Sequence, residues 1–416
     1  MADLTACNGP LRLLVNGHVV RGAGSTVGGM HLVLEELLKR GHGVRFVSKR
    51  SYVYPADLVD RFERFRFVDA TNRGTDALHE RVGSRLGPMR YATGVLNHRA
   101  FGRTVMRKMR AEHAREPADL VLFLNTPAFG RVAGLPGVSW VQGAPGTDVR
   151  SLGRQSALLK QTEGWLRWTG LRAYGWYRMR WGLPDYSASD RLIASSRVSA
   201  GLLDRWFGQG PEKVRVIPVP MDLSRFTMRD RSPGGAEGGL SVLWLGRIVP
   251  RKRLDLLLDG LRLAAQQGVG VRAKVVGGFS FAPGLKELVE RFDRPELLDY
   301  SPEVPREEVM GLIKVCDVLV QPSEEEDFGA SVAEALACGT PVMTGPSNGT
   351  GEYQCERSIR LADYEPATLA EAFAACEKRK RAGTLLDPQH TRSVAERNFA
   401  VGPIVDRLEE VLYSLC

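Results

Sequence analysis

Residues 322–341 read Pro322-Ser323-Glu324-Glu325-Glu326-Asp327-Phe328-Gly329-Ala330-Ser331-Val332-Ala333-Glu334-Ala335-Leu336-Ala337-Cys338-Gly339-Thr340-Pro341, an acidic turn running into a helix. Val318-Leu319-Val320 just before it is a short buried-strand signal. The alanine-rich run from Val332 to Cys338 favours helix and is stopped by Gly339 and Pro341. Strand, turn and helix in this order are one step of an α/β sheet, and Phe328-Gly329-Ala330-Ser331 falls where the helix begins. Unpaired backbone N–H groups and the positive end of the helix dipole at such a start favour an anion, and Gly329 lets a phosphate approach the backbone closely.

A second strand-to-helix step lies upstream. Leu240-Ser241-Val242-Leu243-Trp244-Leu245-Gly246-Arg247 reads as a buried strand ending in a glycine. Ile248-Val249-Pro250-Arg251-Lys252-Arg253 then leads into the apolar helix beginning Leu254-Asp255-Leu256-Leu257-Leu258. The cations therefore sit on a loop at the ligand edge of an open parallel sheet. Arg247 can grip phosphate oxygens bidentately and Lys252 can act as a point charge on a diphosphate. Arg251 and Arg253 read as solvated neighbours. The bland alternatives are a basic surface loop here and, in the first stretch, a solvated acidic turn with Glu334 as a helix-surface charge.

Glu326 and Glu334 have seven residues between them, and with the letters around them they resemble the E-x7-E segment of retaining GT-B glycosyltransferases of family four. The resemblance implies an α/β fold of two doubly wound Rossmann-like domains facing a central cleft, and a UDP- or GDP-sugar as donor. It implies that Arg247 and Lys252 hold the donor diphosphate, with Gly246, Phe328, Gly329, Ala330 and Ser331 around it. Glu326 can reach sugar hydroxyls beyond a bound phosphate, and Glu334 can accept hydrogen bonds from a ribose. The family further implies retention at the anomeric carbon by front-face attack, with Glu326, Arg247 and Lys252 as the catalytic set. Two carboxylates also invite a glycosidase reading, but a hydrolase does not need the paired cations.

Composition agrees with a soluble globular protein. The chain has 416 residues, enough for two cores, with 43% hydrophobic and 25% charged residues. No apolar run is long enough to span a bilayer, and the start Met-Ala-Asp-Leu-Thr-Ala-Cys has no basic region followed by an apolar stretch, so a cytoplasmic protein is expected. Six cysteines, at 7, 316, 338, 355, 376 and 416, lack metal-ligand spacing and read as reduced thiols. There is no Asp-x-Asp motif, so no metal or other cofactor is expected. The formal charge of +9 suits an anionic partner. It is spread over many segments without a nucleic-acid motif, and a nucleotide sugar is a sufficient anion.

Along the chain, Leu11 to Gly17 reads as a strand, Met30 to Lys39 as a helix and Val44 to Val47 as the next strand. Further strands are expected at 120–124, 138–141, 192–194, 241–245, 273–276 and 317–320, with Pro341-Val342-Met343 beyond. Lys213 to Phe226 resembles the family's strand and Asp-x-x-x-Phe turn. Ser232-Pro233-Gly234-Gly235-Ala236-Glu237-Gly238-Gly239 has linker composition. The expected domains are 1–230 for the acceptor and 240–395 for the nucleotide sugar, with 396–416 a helix that, by resemblance, returns to the first domain.

The glycine-rich loop Arg21 to Gly29 lacks the spacing of a dinucleotide fingerprint. Its better reading places Gly28 and Gly29 at a helix start that approaches donor phosphate, with a plain mobile turn as the bland alternative. Where many relatives carry a histidine, Val138-Ser139-Trp140-Val141-Gln142 supplies Gln142, which can orient a hydroxyl but cannot titrate near neutrality. Gln142 and His18 are the acceptor-site candidates. Trp165 to Trp181 interleaves aromatic and basic residues, as on a membrane face, an acceptor platform or a core helix. Its glycines are expected to break a continuous amphipathic helix, which favours a soluble small-molecule acceptor (natural-product, aminocyclitol, thiol or saccharide) over a membrane lipid. The alternatives are transfer to a lipid at a membrane surface and an inactive nucleotide-sugar-binding protein. Sugar, base, acceptor and oligomeric state are left open.

Overall fold

The structure, a computed structural model, describes residues 9–21, 26–51, 53–85, 87–141, 143, 146–181, 186–230 and 238–416. Gln142, the loop residues 22–25 and the linker residues 232–237 lie outside the described residues.

The chain forms two compact units. The first comprises Met1–Pro145, Tyr174–Met221 and Val401–Cys416, the second Gly146–Ala173 and Asp222–Ala400. In the first, strands β1 (Arg12–Gly17), β2 (Gly43–Ser48), β3 (Phe65–Asp69), β4 (Leu120–Leu124), β5 (Gly137–Val141), β6 (Arg191–Ala194) and β7 (Val214–Val216) pair in the order β3-β2-β1-β4-β5-β6-β7. In the second, β8 (Leu240–Leu245), β9 (Val271–Val276), β10 (Leu298–Ser301), β11 (Val318–Gln321), β12 (Val342–Thr344) and β13 (Ile359–Arg360) pair as β10-β9-β8-β11-β12-β13. All these pairings are parallel, as doubly wound α/β sheets require.

Strands covered on both faces need apolar side chains on both. Accordingly Leu13, Leu14 and Val15 of β1, and Val242, Leu243 and Trp244 of β8, are fully buried or within 1% of it. The strands that the sequence pattern misses, β3, β10 and β13, are all sheet edges. Half-solvated edges tolerate Arg66, Asp299 and Arg360, which break the apolar run that betrays a central strand.

Two segments join units remote in sequence. The helix Val401–Tyr413 buries Ile404, Val405 and Leu408. Glu409 on it receives Nε2 of the buried His42 at 2.7 Å, while His42 Nδ1 accepts the Leu11 N–H at 2.9 Å. Residues 146–173, assigned by sequence to the first domain, belong to the second unit. Leu152 and Leu159 are buried in the core built around Trp244, Leu257 and Phe373, and Trp168 packs against it while donating to the Leu152 carbonyl at 3.2 Å. The apolar side of this helical segment thus finds its partners on the second sheet. Gly170 and Gly175 do not interrupt the helix Trp165–Trp181, contrary to expectation. Their propensity cost, about 1 kcal/mol each, is not enough to break a 17-residue helix.

Gly29, in the helix Thr26–Lys39, has a packing reason of its own. A Cβ there would lie 2.3 Å from Val219 Cγ1 and 2.7 Å from the Pro220 carbonyl oxygen. Gly29→Ala should therefore lower unfolding stability by about 1–3 kcal/mol, as overpacking does. Thermal and denaturant unfolding of the variant checks this, and an unchanged midpoint contradicts the close approach.

Candidate functional site

In the second sheet the strand order reverses between β8 and β11: β9 and β10 lie to one side, β12 and β13 to the other. Loops at the carboxyl ends of the two strands flanking such a reversal diverge and leave a crevice, the usual ligand site of open α/β sheets. The two stretches singled out by sequence are these two loops. Their backbones are joined, since the Glu324 N–H donates to the Arg251 carbonyl at 2.7 Å.

Glu326 is the centre of the charge arrangement. Its Oε2 receives Arg251 Nη1 at 2.7 Å and is also paired with Lys252 Nζ, and the Glu326 and Lys252 side chains are each only 10% exposed. Burial pushes the carboxyl up, but Arg251 and Lys252 outweigh it and hold the group at about 2. Its main chain is fixed as well. Glu326 N–H donates to Ser347 O at 2.9 Å, and its carbonyl accepts the Gly349 N–H at 2.9 Å. Arg251 and Arg253, expected to be solvated, are not. Arg251 also donates to Asp148 at 2.6 Å, and Arg253 donates to Glu324 at 2.7 Å and is paired with Asp255. The two loops fold onto each other, so cations next to Lys252 in sequence face carboxylates instead of water. Arg247, by contrast, is exposed at the end of β8 just past Gly246.

Beyond Glu326 the chain enters the helix Ala330–Ala337 through Gly329, whose φ of 68° is the left-handed conformation a glycine adopts without strain. Gly329, the N-cap of this helix, has no side chain to cap it. Phe328 is buried edge-on against Phe399, with ring centroids 5.4 Å apart. Gln321 Nε2 donates to Ser331 Oγ at 2.7 Å, and its Oε1 accepts from Asn348 at 3.0 Å, bracing the helix start from below. Glu334, one face of the same helix, is buried, and burial raises its carboxyl pKa against the opposing charge of Arg306 at 3.2 Å.

In the first sheet the reversal falls between β1 and β4. His18 follows β1, its backbone N–H donating to Leu124 O at 3.1 Å, and partial burial lowers the pKa of its ring. Asn125 follows β4 with a left-handed φ of 58° and donates to the His18 carbonyl at 3.1 Å. Its signal in the sequence was the Asn-Thr-Pro turn after the strand. Gly28 is buried at the start of the first helix. Among the described residues no group of His, Cys, Asp and Glu is arranged to hold a metal, and no helix is long and apolar enough to cross a membrane.

Two α/β units with parallel doubly wound sheets define the GT-B class of architecture. Solved structures agree on the fold: sucrose-phosphate synthase from Thermosynechococcus elongatus covers 97% of this chain and 99% of its own, with TM-score 0.64 and 17% identity. Anabaena HepE in complex with UDP covers 97% and 100%, with TM-score 0.62 and 17% identity. Residues 229–384 match the family described as glycosyl transferases group 1. The D-inositol 3-phosphate glycosyltransferase of Segniliparus rotundus is 30% identical over 222 residues, 51% of this chain and 48% of that protein. The protein of the same name from Thermomonospora curvata is 29% identical over 247 residues, 54% of this chain and 57% of its own length. The chain thus spans about half the length of these curated relatives.

The Glu326 cluster sets a pH dependence. The folded-state pKa lies below the ordinary 4.5, so its stabilisation is fully present above pH 4.5 and is lost as pH falls through about 2. Glu326→Gln should be less stable than wild type by a few kcal/mol at neutral pH, with the gap closing on acidification through that window. Denaturant unfolding at stepped pH measures the gap, and a pH-independent difference is the contrary result.

Proposed function

We propose that this protein is a glycosyltransferase that moves a sugar from a nucleotide diphosphate sugar to a small-molecule acceptor, with retention at the anomeric carbon and without a metal. The observation that carries this reading is the meeting of Arg251, Lys252 and Glu326 on the two strand-end loops at the reversal of the second sheet. Arg247, Lys252 and the helix start at Gly329–Ser331 hold and neutralise the departing diphosphate. Glu334 takes the ribose hydroxyls. The bond from the anomeric carbon to the diphosphate oxygen breaks with its electron pair going to the diphosphate. The acceptor oxygen bonds to that carbon from the same face, and its proton passes to a donor phosphate oxygen. A carboxyl held at about 2 accepts hydrogen bonds near neutrality but has no proton to give, which supports Glu326 as the group that orients sugar hydroxyls rather than as a general acid. The HepE complex contains UDP, and the curated relatives are named for inositol 3-phosphate, which supports a uridine donor and a polyol acceptor here.

Differential scanning with UDP-, GDP- and dTDP-sugars tests the donor, because a ligand of the folded state raises its melting temperature by mass action. Lys252→Ala should abolish the shift and lower turnover by roughly 10²-fold or more. Unchanged affinity for every nucleotide diphosphate bound by the wild type removes Lys252 from the site.

One observation favours a lipid acceptor instead: Trp165, Leu166 and Trp176 on the helix Trp165–Trp181 are 64%, 79% and 63% exposed. Trp168 does not belong with them, since it packs on the core. With a soluble acceptor, the protein should not float with anionic liposomes at physiological salt. Flotation that weakens with salt and disappears in the Trp165→Ala, Trp176→Ala double variant selects the lipid reading.

A further inference from the structure

Three successive glutamates of the acidic loop have three different sets of partners. Glu326 faces Arg251 and Lys252, Glu325 is turned to the helix Thr147–Arg154, and Glu324 lies between the end of that helix and Arg253. Arg150 Nε donates to Glu325 Oε2 at 3.0 Å and Arg154 Nη1 to Glu325 Oε1 at 2.7 Å, so two arginines one helical turn apart occupy both oxygens of one carboxylate. Arg154 Nε donates to Glu324 Oε2 at 2.7 Å, and Gln155 Nε2 donates to its Oε1 at 2.8 Å. On the same helix Asp148 accepts Arg251 Nε at 2.6 Å, and the other end of that guanidinium reaches Glu326.

Glu325 is also one of three described non-glycine residues with positive φ, at 47°. A left-handed residue with a side chain carries strain that persists only where its surroundings over-determine it. Here the surroundings are the two arginines and Ser347, whose Oγ accepts the Glu325 N–H at 2.8 Å. The left-handed step turns the chain between Glu325 and Glu326, so its neighbouring residue is delivered to the opposite set of cations.

We propose that Arg150 and Arg154 are positioning residues for Glu326: by anchoring Glu325 in its left-handed conformation they keep the Glu326 carboxylate on Lys252. The pair would act without touching donor or acceptor. This deepens the glycosyltransferase reading and rests on it for the importance of Glu326, although the geometry it predicts is measurable without any substrate.

The measurement is acetylation of lysines in the full chain with acetic anhydride, quantified by mass spectrometry. Lys380 is an internal reference, a buried lysine paired with Asp317 at 2.8 Å in the same unit. In Arg154→Met, release of Glu326 should speed acetylation of Lys252 by at least about tenfold while Lys380 keeps its wild-type rate, as expected of local rather than global opening. Arg154→Lys, read from initial rates before the introduced amine is itself acetylated, should restore most of the protection. Should Arg154→Met fail to fold, Glu325→Gln removes the same anchor with the loop's shape retained, and the same pattern is expected. Equal acceleration of Lys252 and Lys380, or no acceleration of either, overturns the positioning role. UDP added to the wild type separates this inference from the one beneath it. Absence of any UDP effect on Lys252 counts against the donor site while leaving the Arg154 comparison intact, and faster labelling of Lys252 alone in Arg154→Met supports the anchor whichever way UDP behaves.

Discussion

The buried ion cluster of Arg251, Lys252 and Glu326 is the constraint on which the rest of the second unit's ligand edge depends. Taking an ammonium and a carboxylate out of water costs several kcal/mol per ion, and only close, well-directed pairing offsets it. The offset here needs both strand-end loops at once, because neither cation and carboxylate share a loop. The fold supplies that meeting by setting β8 beside β11, so the loops after them start from adjacent positions. Removing one partner strands the others in a buried place, which is why a single charge change here reaches beyond its own contact.

A cluster of this kind is weak evidence for stability but good evidence for a purpose, since apolar residues would fill the same volume at less cost. The Asp317–Lys380 pair makes a useful contrast. It too is buried, yet its lysine also donates to the Gly239 carbonyl and its carboxylate accepts the Ser241 N–H, so every charge closes a backbone group at the start of β8. That pair lies at the opposite end of the strand from the ligand edge and reads as construction. Among the described residues the side chains of the Glu326 cluster are bonded to one another and to Asp148, an arrangement that agrees with the proposed ligand binding.

How much of this was legible follows from physical range. Central strands such as β4 and β8 declare themselves by continuous apolar runs, because both faces are covered; the edge strands β3, β10 and β13 do not. The strand–loop–helix steps carrying Lys252 and Glu326 were legible because glycine, proline and helix composition act over a few residues. The pairing of Arg251 with Glu326 and of Arg253 with Glu324 was not, because these carboxylates lie 75 and 71 residues away, and Arg251 and Arg253 were misread as solvated. The anchoring by Arg150 and Arg154 spans 175 and 171 residues and leaves no local pattern at all. For the same reason 146–173 was misplaced: only the core that receives Leu152 and Leu159 tells which unit the segment serves.

The two sheets share one winding, yet the groups at their strand reversals differ in charge. At the reversal of the second sheet the strand-end loops present cations paired with carboxylates and a helix start with glycine at its N-cap. An anion with several oxygens can take over such cations, exchanging one set of charge-assisted hydrogen bonds for another with little loss. At the reversal of the first sheet stand His18, its pKa lowered by burial, and Asn125, bonded to the His18 backbone. Neutral groups that both donate and accept suit hydroxyls better than phosphates. The proposed function accordingly puts a diphosphate donor with the second unit and a hydroxyl-bearing acceptor with the first, a reading that the charge at each sheet edge supports whichever sugar is carried.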